Sequence, residues 1–206
     1  MDGMRIFWRM WGETMRFALM FLSGLWATAA TAADLEFKGL ALDANVTPEQ
    51  VEEALKVPCE KFGKVCDESW QRIHERMAVS CGTGRAGAQI CNGQTTIAGA
   101  QAEANVVIGT DGRLQRIWLT ISEYSYEDVL SELKKKYGKP SSVRRYGVQN
   151  GFGASFAQVD TVWQGTSGQK LSVSRYAGTL DKSTVYFSTR VDEAMLSSNA
   201  GDSNDL

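Results

Sequence analysis

The chain has 206 residues, with 22 Lys and Arg against 24 Asp and Glu. This near balance leaves no basic excess to neutralise phosphates and argues against a nucleic-acid partner. The length beyond residue 33 is that of one domain, enough to bury a core without a metal or cofactor.

Residues 1–33 read as a secretion signal. Met15-Arg16 gives a positive start, 17–26 is apolar, 27–33 is almost all Ala and Thr, and Ala30-Thr31-Ala32 fits a cleavage site. Met15 begins a more ordinary signal, which marks 1–14 as a candidate over-called start. The apolar run is shorter than the ~20 residues a bilayer span needs, so no stable membrane insertion is expected once the signal is removed. The predicted domain runs over 34–191.

Within it, 35–42 alternates enough for a first strand or an extended arm. Thr47-Pro48-Glu49-Gln50 starts a helix, with Thr47 as the cap, Pro48 at the first helical position and Gln50 three residues after the cap. Val51 and Leu55 form its buried stripe and Pro58 ends it. The spacing of Trp70, Ile73 and Met77 predicts a second helix over 67–77. The Gly- and Thr-rich stretch 80–99 reads as a loop pinned by Cys81 and Cys91. A hairpin follows, with strands at 104–109 and 114–121 about an Asp111-Gly112 turn. Ser125 caps a third helix with Val129, Leu130, Leu133 and Tyr137 on its apolar face, stopped by Gly138 and Pro140. Strands are predicted at 142–148, 156–164, 170–176 and 184–190, and 192–206 reads as a disordered polar tail. The fold class is α+β: an antiparallel sheet of hairpins with two or three helices packed on one face.

Four cysteines, Cys59, Cys66, Cys81 and Cys91, can pair in three ways. An even count in an exported chain points to disulfides, and Cys59–Cys66 with Cys81–Cys91 closes the shortest loops. The spacings lack the tight knuckles of a zinc site, and no other metal motif or cofactor motif is expected to operate. Gly82-Thr83-Gly84-Arg85-Ala86-Gly87 spells a dinucleotide fingerprint, but Cys91, Asn92 and Gly93 interrupt the long helix that it requires. His74, the single histidine, sits among Arg72, Glu75 and Arg76 on a predicted surface helix. Glu123, Glu127 and Asp128 gather at a helix start, where negative charge is stabilising in its own right. No catalytic residue is assigned.

Alternation along the last strands sorts side chains onto two faces. Ile117, Leu119 and Ile121 mark the core side; Arg116 and Trp118, with Tyr176 and Tyr186 from later strands, fall on the other, and Trp163 fits either. Trp, Tyr and Arg are the residues that carry most binding energy at protein interfaces, so Arg116, Trp118, Tyr176 and Tyr186 form the candidate binding set.

Two stretches carry a resemblance: Phe37-Lys38-Gly39-Leu40 with the helix start at 47–55, and Gly112 to Ile117 followed by 126–133 and Lys136-Tyr137-Gly138-Lys139-Pro140. They resemble the SmpA/BamE-like and β-lactamase-inhibitor-protein-like small envelope domains. The resemblance implies helices on a curved antiparallel sheet whose open face or loops contact proteins. The lipoprotein cysteine of the outer-membrane assembly members is absent here, and no binding residue carries across. The expectation is a soluble, periplasmic, non-enzymatic module that binds an envelope or secreted protein. The alternatives are an inhibitor of a secreted hydrolase such as a lysozyme or β-lactamase, using the pinned loop, and a carboxylate-dependent hydrolase.

Overall fold

The computed structural model describes residues 34–61, 64–84 and 87–201. The signal read at 1–33, Arg85 and Ala86 of the glycine-rich run, and 202–206 of the tail lie outside the described residues. The stretch 35–42 is a miniature hairpin, β1 (Glu36–Phe37) folding back on β2 (Leu40–Ala41). Lys38 and Gly39 both adopt positive φ at its turn, the geometry that matches the twist of two paired strands. Leu35, Phe37, Leu40 and Leu42 are buried.

Helix α1 (Pro48–Leu55) carries the expected capping box: the Gln50 N–H donates to Thr47 Oγ1 at 3.3 Å and the Thr47 N–H to Gln50 Oε1 at 2.8 Å. Val51 and Leu55 are fully buried. A ribbon of β3 (Glu60–Lys61) and β4 (Lys64–Val65) lies between the bridged Cys59 and Cys66. Helix α2 (Glu68–Met77) starts at Asp67, whose carboxylate accepts the N–H groups of Ser69 and Trp70. Its predicted stripe stays wet: Trp70, Ile73 and Met77 are each about two-fifths exposed.

The stretch 80–99 is not a loop. It forms β5 (Ser80–Thr83) and all of β6 (Gln89–Ile97), and the second disulfide joins directly opposed positions, Cys81 and Cys91, across that pair. Two-sided pairing of β6, with β5 and with β7 (Ala100–Ile108), overrides the weak strand propensity of Gly and Asn here. β7 returns as β8 (Leu114–Ser122) through the Asp-Gly turn, where Gly112 has φ +76°. A single 3₁₀ turn, Glu123–Ser125, leads into α3 (Tyr126–Tyr137), and the Ser125 side chain makes no capping bond. The last third supplies β9 (Ser142–Gln149), β10 (Ser155–Gln164), β11 (Lys170–Ser174) and β12 (Lys182–Ser188). Residues read as the start of a disordered tail instead continue into α4 (Arg190–Gly201). Thr189 Oγ1 accepts the Asp192 N–H at 3.2 Å, a local start signal that opposes fraying.

All eight long strands join one antiparallel sheet in the order β5-β6-β7-β8-β12-β11-β10-β9. The fold is α+β. On the inner face Ile117, Leu119 and Ile121 meet Val185, Phe187, Leu171 and Val173, and side chains of α1 and α3 belong to the same buried cluster. Phe187 packs its ring against Phe37 at 5.8 Å and Tyr137 at 6.3 Å. Trp163 resolves to the core, opposite Leu171, with its Nε1–H donated to the Gly138 carbonyl at 3.0 Å. Helix α4 meets the opposite, outer face, bonding to Arg116 and Tyr186.

Candidate functional site

Strand register builds the outer face. Trp118 lies opposite Tyr186 on one side and Asn105 on the other. The two rings meet edge to face at 5.8 Å and 83°, a geometry that adds about 0.5–1.5 kcal/mol beyond burial. Trp118 nevertheless remains 44 % exposed. Beside it Arg116 is clamped to Asp192 of α4, Nε donating at 3.0 Å and 3.1 Å and Nη2 at 2.5 Å. The Tyr186 hydroxyl donates to the same carboxylate, whose side chain is only 2 % exposed. The Asp192 bond raises the Arg116 pKa further, and burial, reinforced by Asp192, holds the Tyr186 phenol well above its ordinary range. Next along α4, Glu193 accepts from Lys170 Nζ at 2.7 Å and from Ser188 Oγ at 2.7 Å.

Burial alone would raise the Glu193 pKa, but the bonds from Lys170 and Ser188 and the nearby Lys170 charge outweigh it and hold the value below 4.5. A depressed carboxyl pKa contributes stability that is present above the unfolded value and is lost as pH falls through the folded one. The stability difference between wild type and Glu193→Gln is therefore expected to be flat near neutral pH and to shrink on acidification, as pH falls from the ordinary glutamate value through the lower folded one. Thermal unfolding of both proteins across that window checks it; a difference that grows in acid would overturn the assignment.

Of the four predicted binding residues, the structure brings Arg116, Trp118 and Tyr186 together and sets Tyr176 apart. β11 ends at Ser174, so the alternation counted over 170–176 does not extend to Tyr176. Its ring packs on Phe156 at 6.1 Å, and its backbone exchanges bonds with the Gln158 side chain at 2.9 Å and 3.1 Å. The polar ends of Arg116 and Tyr186 are also occupied by Asp192, which leaves the Trp118 ring as the accessible part of the set.

A groove of about 700 Å³ opens beside that ring. Asn92, Gln94, Asn105 and Thr120 line it, with Trp118 and the α2 residue Met77. Asn105 Nδ2 donates to Asn92 Oδ1 at 2.7 Å, bracing two of these amides. Gly93 lets α2 end here: a Cβ at this position would lie 2.4 Å from the Val79 Cα, so only glycine admits the close crossing of the chain over β6. The lining is mixed: Trp118 and Met77 are apolar, Asn92, Gln94 and Asn105 supply amides, and Arg76, Glu103 and Arg116 add charge, which suits a side chain with both apolar and polar surface.

Comparison of the chain with family models, with curated proteins and with solved structures finds no match.

The remaining chemistry is engaged elsewhere. Glu123 accepts from Arg175 at 2.7 Å, so one carboxylate of the acidic group at the start of α3 is tied into an ion pair. Both cysteine pairs are bridged and no cysteine is free. Among the described residues no cluster of three or more His, Cys, Asp or Glu side chains is placed to hold a metal. Among them also, no helix is long and apolar enough to cross a membrane. Sequence reasoning missed Asp192, Glu193 and Thr189, which anchor α4. The available signal was Thr189-Arg190-Val191-Asp192, a T-x-x-D start hidden by the polar residues after it.

Proposed function

We propose that the protein is an exported, disulfide-stabilised binding module of the periplasm that grips a partner protein on the outer sheet face around Trp118. The observation that carries this reading is the half-exposed Trp118 ring, held by Tyr186 beside an open groove. A large ring fixed before binding loses little entropy on contact, which is what makes tryptophan a strong anchor. Tyr186 is in turn held by Asp192, so the orientation is set two residues deep. The signal pattern at 1–33 and the two disulfides support export to an oxidising compartment. The resemblance to BamE-like and inhibitor-like envelope domains supports a protein partner. The module acts without chemistry of its own and needs neither metal nor cofactor.

Trp118→Ala tests the proposal. Photo-crosslinking from position 120, on the groove wall, in intact cells is expected to give one discrete partner adduct. That adduct should weaken about tenfold or more in the Trp118→Ala protein, the loss of one hot-spot side chain, with an almost unchanged melting temperature. Persistence of the adduct, or unfolding of the variant, sinks the reading.

A further inference from the structure

The sheet has two edges, and they are treated differently. At the β5 edge the strand has four residues, a disulfide to its neighbour, and the Cys81 N–H donated to Glu52 of α1 at 2.8 Å. At the other edge β9 has eight residues, pairs only with β10, and six of its first six residues are exposed. Among the described residues nothing hydrogen-bonds to its outward backbone groups. A long, open edge is a template for one more strand.

Its side chains choose the strand. The register places Arg145 opposite Val159 on the inner side and Arg144 opposite Asp160 on the outer side. Arg144 reaches Asp160 at 3.3 Å and lies over the Tyr146 ring at 4.5 Å, while no carboxylate is within ion-pair distance of Arg145 among the described residues. Two adjacent cations therefore project to opposite faces of one edge, flanked by the exposed apolar surfaces of Val143 and Tyr146. Gly147 follows and leaves the backbone bare.

A second copy of the chain fits this edge poorly. Opposed side chains in an antiparallel pair share a face, so a two-fold axis relating two β9 strands must pass through a residue position. Centring on Arg144 or Arg145 sets like charges against each other. Centring on Tyr146 places the arginines opposite Val148 and Gly147, without a counter-charge. A strand with two adjacent carboxylates instead puts an acid opposite each arginine, one on each face, where charge-assisted bonds are strongest.

We infer that β9 is a docking edge for an extended acidic segment of a partner protein, added antiparallel as a ninth strand. This surface shares no residue with the Trp118 groove, and its test bears on nothing claimed there. The probe is a capped β-forming peptide of about eight residues with two adjacent glutamates at its centre, alongside a twin carrying glutamines instead. With isotope-labelled protein, the glutamate peptide is expected to shift and protect the amides of 142–149. Its affinity should exceed that of the twin by about tenfold or more and fall as salt rises. Arg144→Glu with Arg145→Glu should abolish the response and transfer it to a peptide with two lysines. Both side chains are exposed, and an unchanged melting temperature verifies that the variant is folded. No response at 142–149, or an equal response to the twin, overturns the inference. So does protection of these amides without peptide that disappears on dilution, which would mean that a second copy occupies the edge.

Discussion

Asp192→Ala is expected to lower the unfolding free energy by about 2–4 kcal/mol and to release α4 from the sheet. The carboxylate is almost wholly buried and is the shared acceptor of Arg116 and Tyr186. Its removal leaves a guanidinium and a phenol without their acceptor on a partly covered surface. Breaking a buried ion pair from one side costs about 3–5 kcal/mol when the remaining charge has no escape. Here the Arg116 side chain is 20 % exposed and α4 can lift away, so the loss is bounded by the cost of undocking the helix. Asp192→Asn keeps the shape and should cost less. In a double-mutant cycle Arg116→Met should recover part of the loss of Asp192→Ala, because no unpaired charge then remains. Thermal unfolding and hydrogen exchange over 190–195 check both. A loss within about 0.5 kcal/mol for Asp192→Ala would mean that the network does not hold the helix.

The same anchor explains why the outer face is only half open. Helix α4 is fixed over the β8, β12 and β11 side through Arg116, Tyr186, Ser188 and Lys170. The β6–β8 side keeps its groove. Trp118 stands where the two regimes meet, touching Tyr186 on the covered side and lining the groove on the other. Undocking α4 removes the acceptor that orients Tyr186, so Asp192 variants should also blur the Trp118 contact without touching a partner.

How much of this was legible follows from how local each signal is. The hairpin about Asp111-Gly112 was readable because turn chemistry and alternation agree within about 18 residues. The α1 cap was readable for the same reason. The strand pair at 80–97 was not: glycines, threonines and amides form strands there because β6 is laddered on both sides, by β5 and by β7. The α2 periodicity was genuine, yet periodicity reports a face and not what covers it, and Trp70, Ile73 and Met77 remain exposed. Alternation placed Trp118 and Tyr186 on one face correctly because both lie inside regular strands. It says nothing of distance along the sheet, so it does not reveal that Tyr176 packs on Phe156, away from Trp118. Arg116 was picked out for binding, but its role depends on Asp192, which is 76 residues away in sequence.

The two disulfides should differ sharply in what their loss does. Cys81→Ala with Cys91→Ala is expected to cost about 2–3 kcal/mol, the loop-closure entropy returned to the unfolded chain by opening a loop of about ten residues. Cys91 is completely buried in the core, and Cys81 donates its N–H to Glu52, so this bridge ties the edge strand β5 to β6 and to α1 at once. For a domain of this size that corresponds to a fall of roughly 5–10 °C in melting temperature. The Cys59–Cys66 bridge obeys nearly the same entropy rule, with a sequence separation of 7 against 10. Its ribbon, however, is a two-stranded sheet of its own, paired with no strand of the eight-stranded sheet. Without the bridge the ribbon can melt while the sheet stays folded, so the cost is capped by the small stability of the ribbon itself. Cys59→Ala with Cys66→Ala should therefore shift the melting temperature by less than about 3 °C while making 59–66 readily cleaved by protease. Scanning calorimetry of the two double variants, with proteolytic mapping, separates the cases. Equal shifts would mean that the ribbon is coupled to the core through contacts that its position in the sheet topology does not supply.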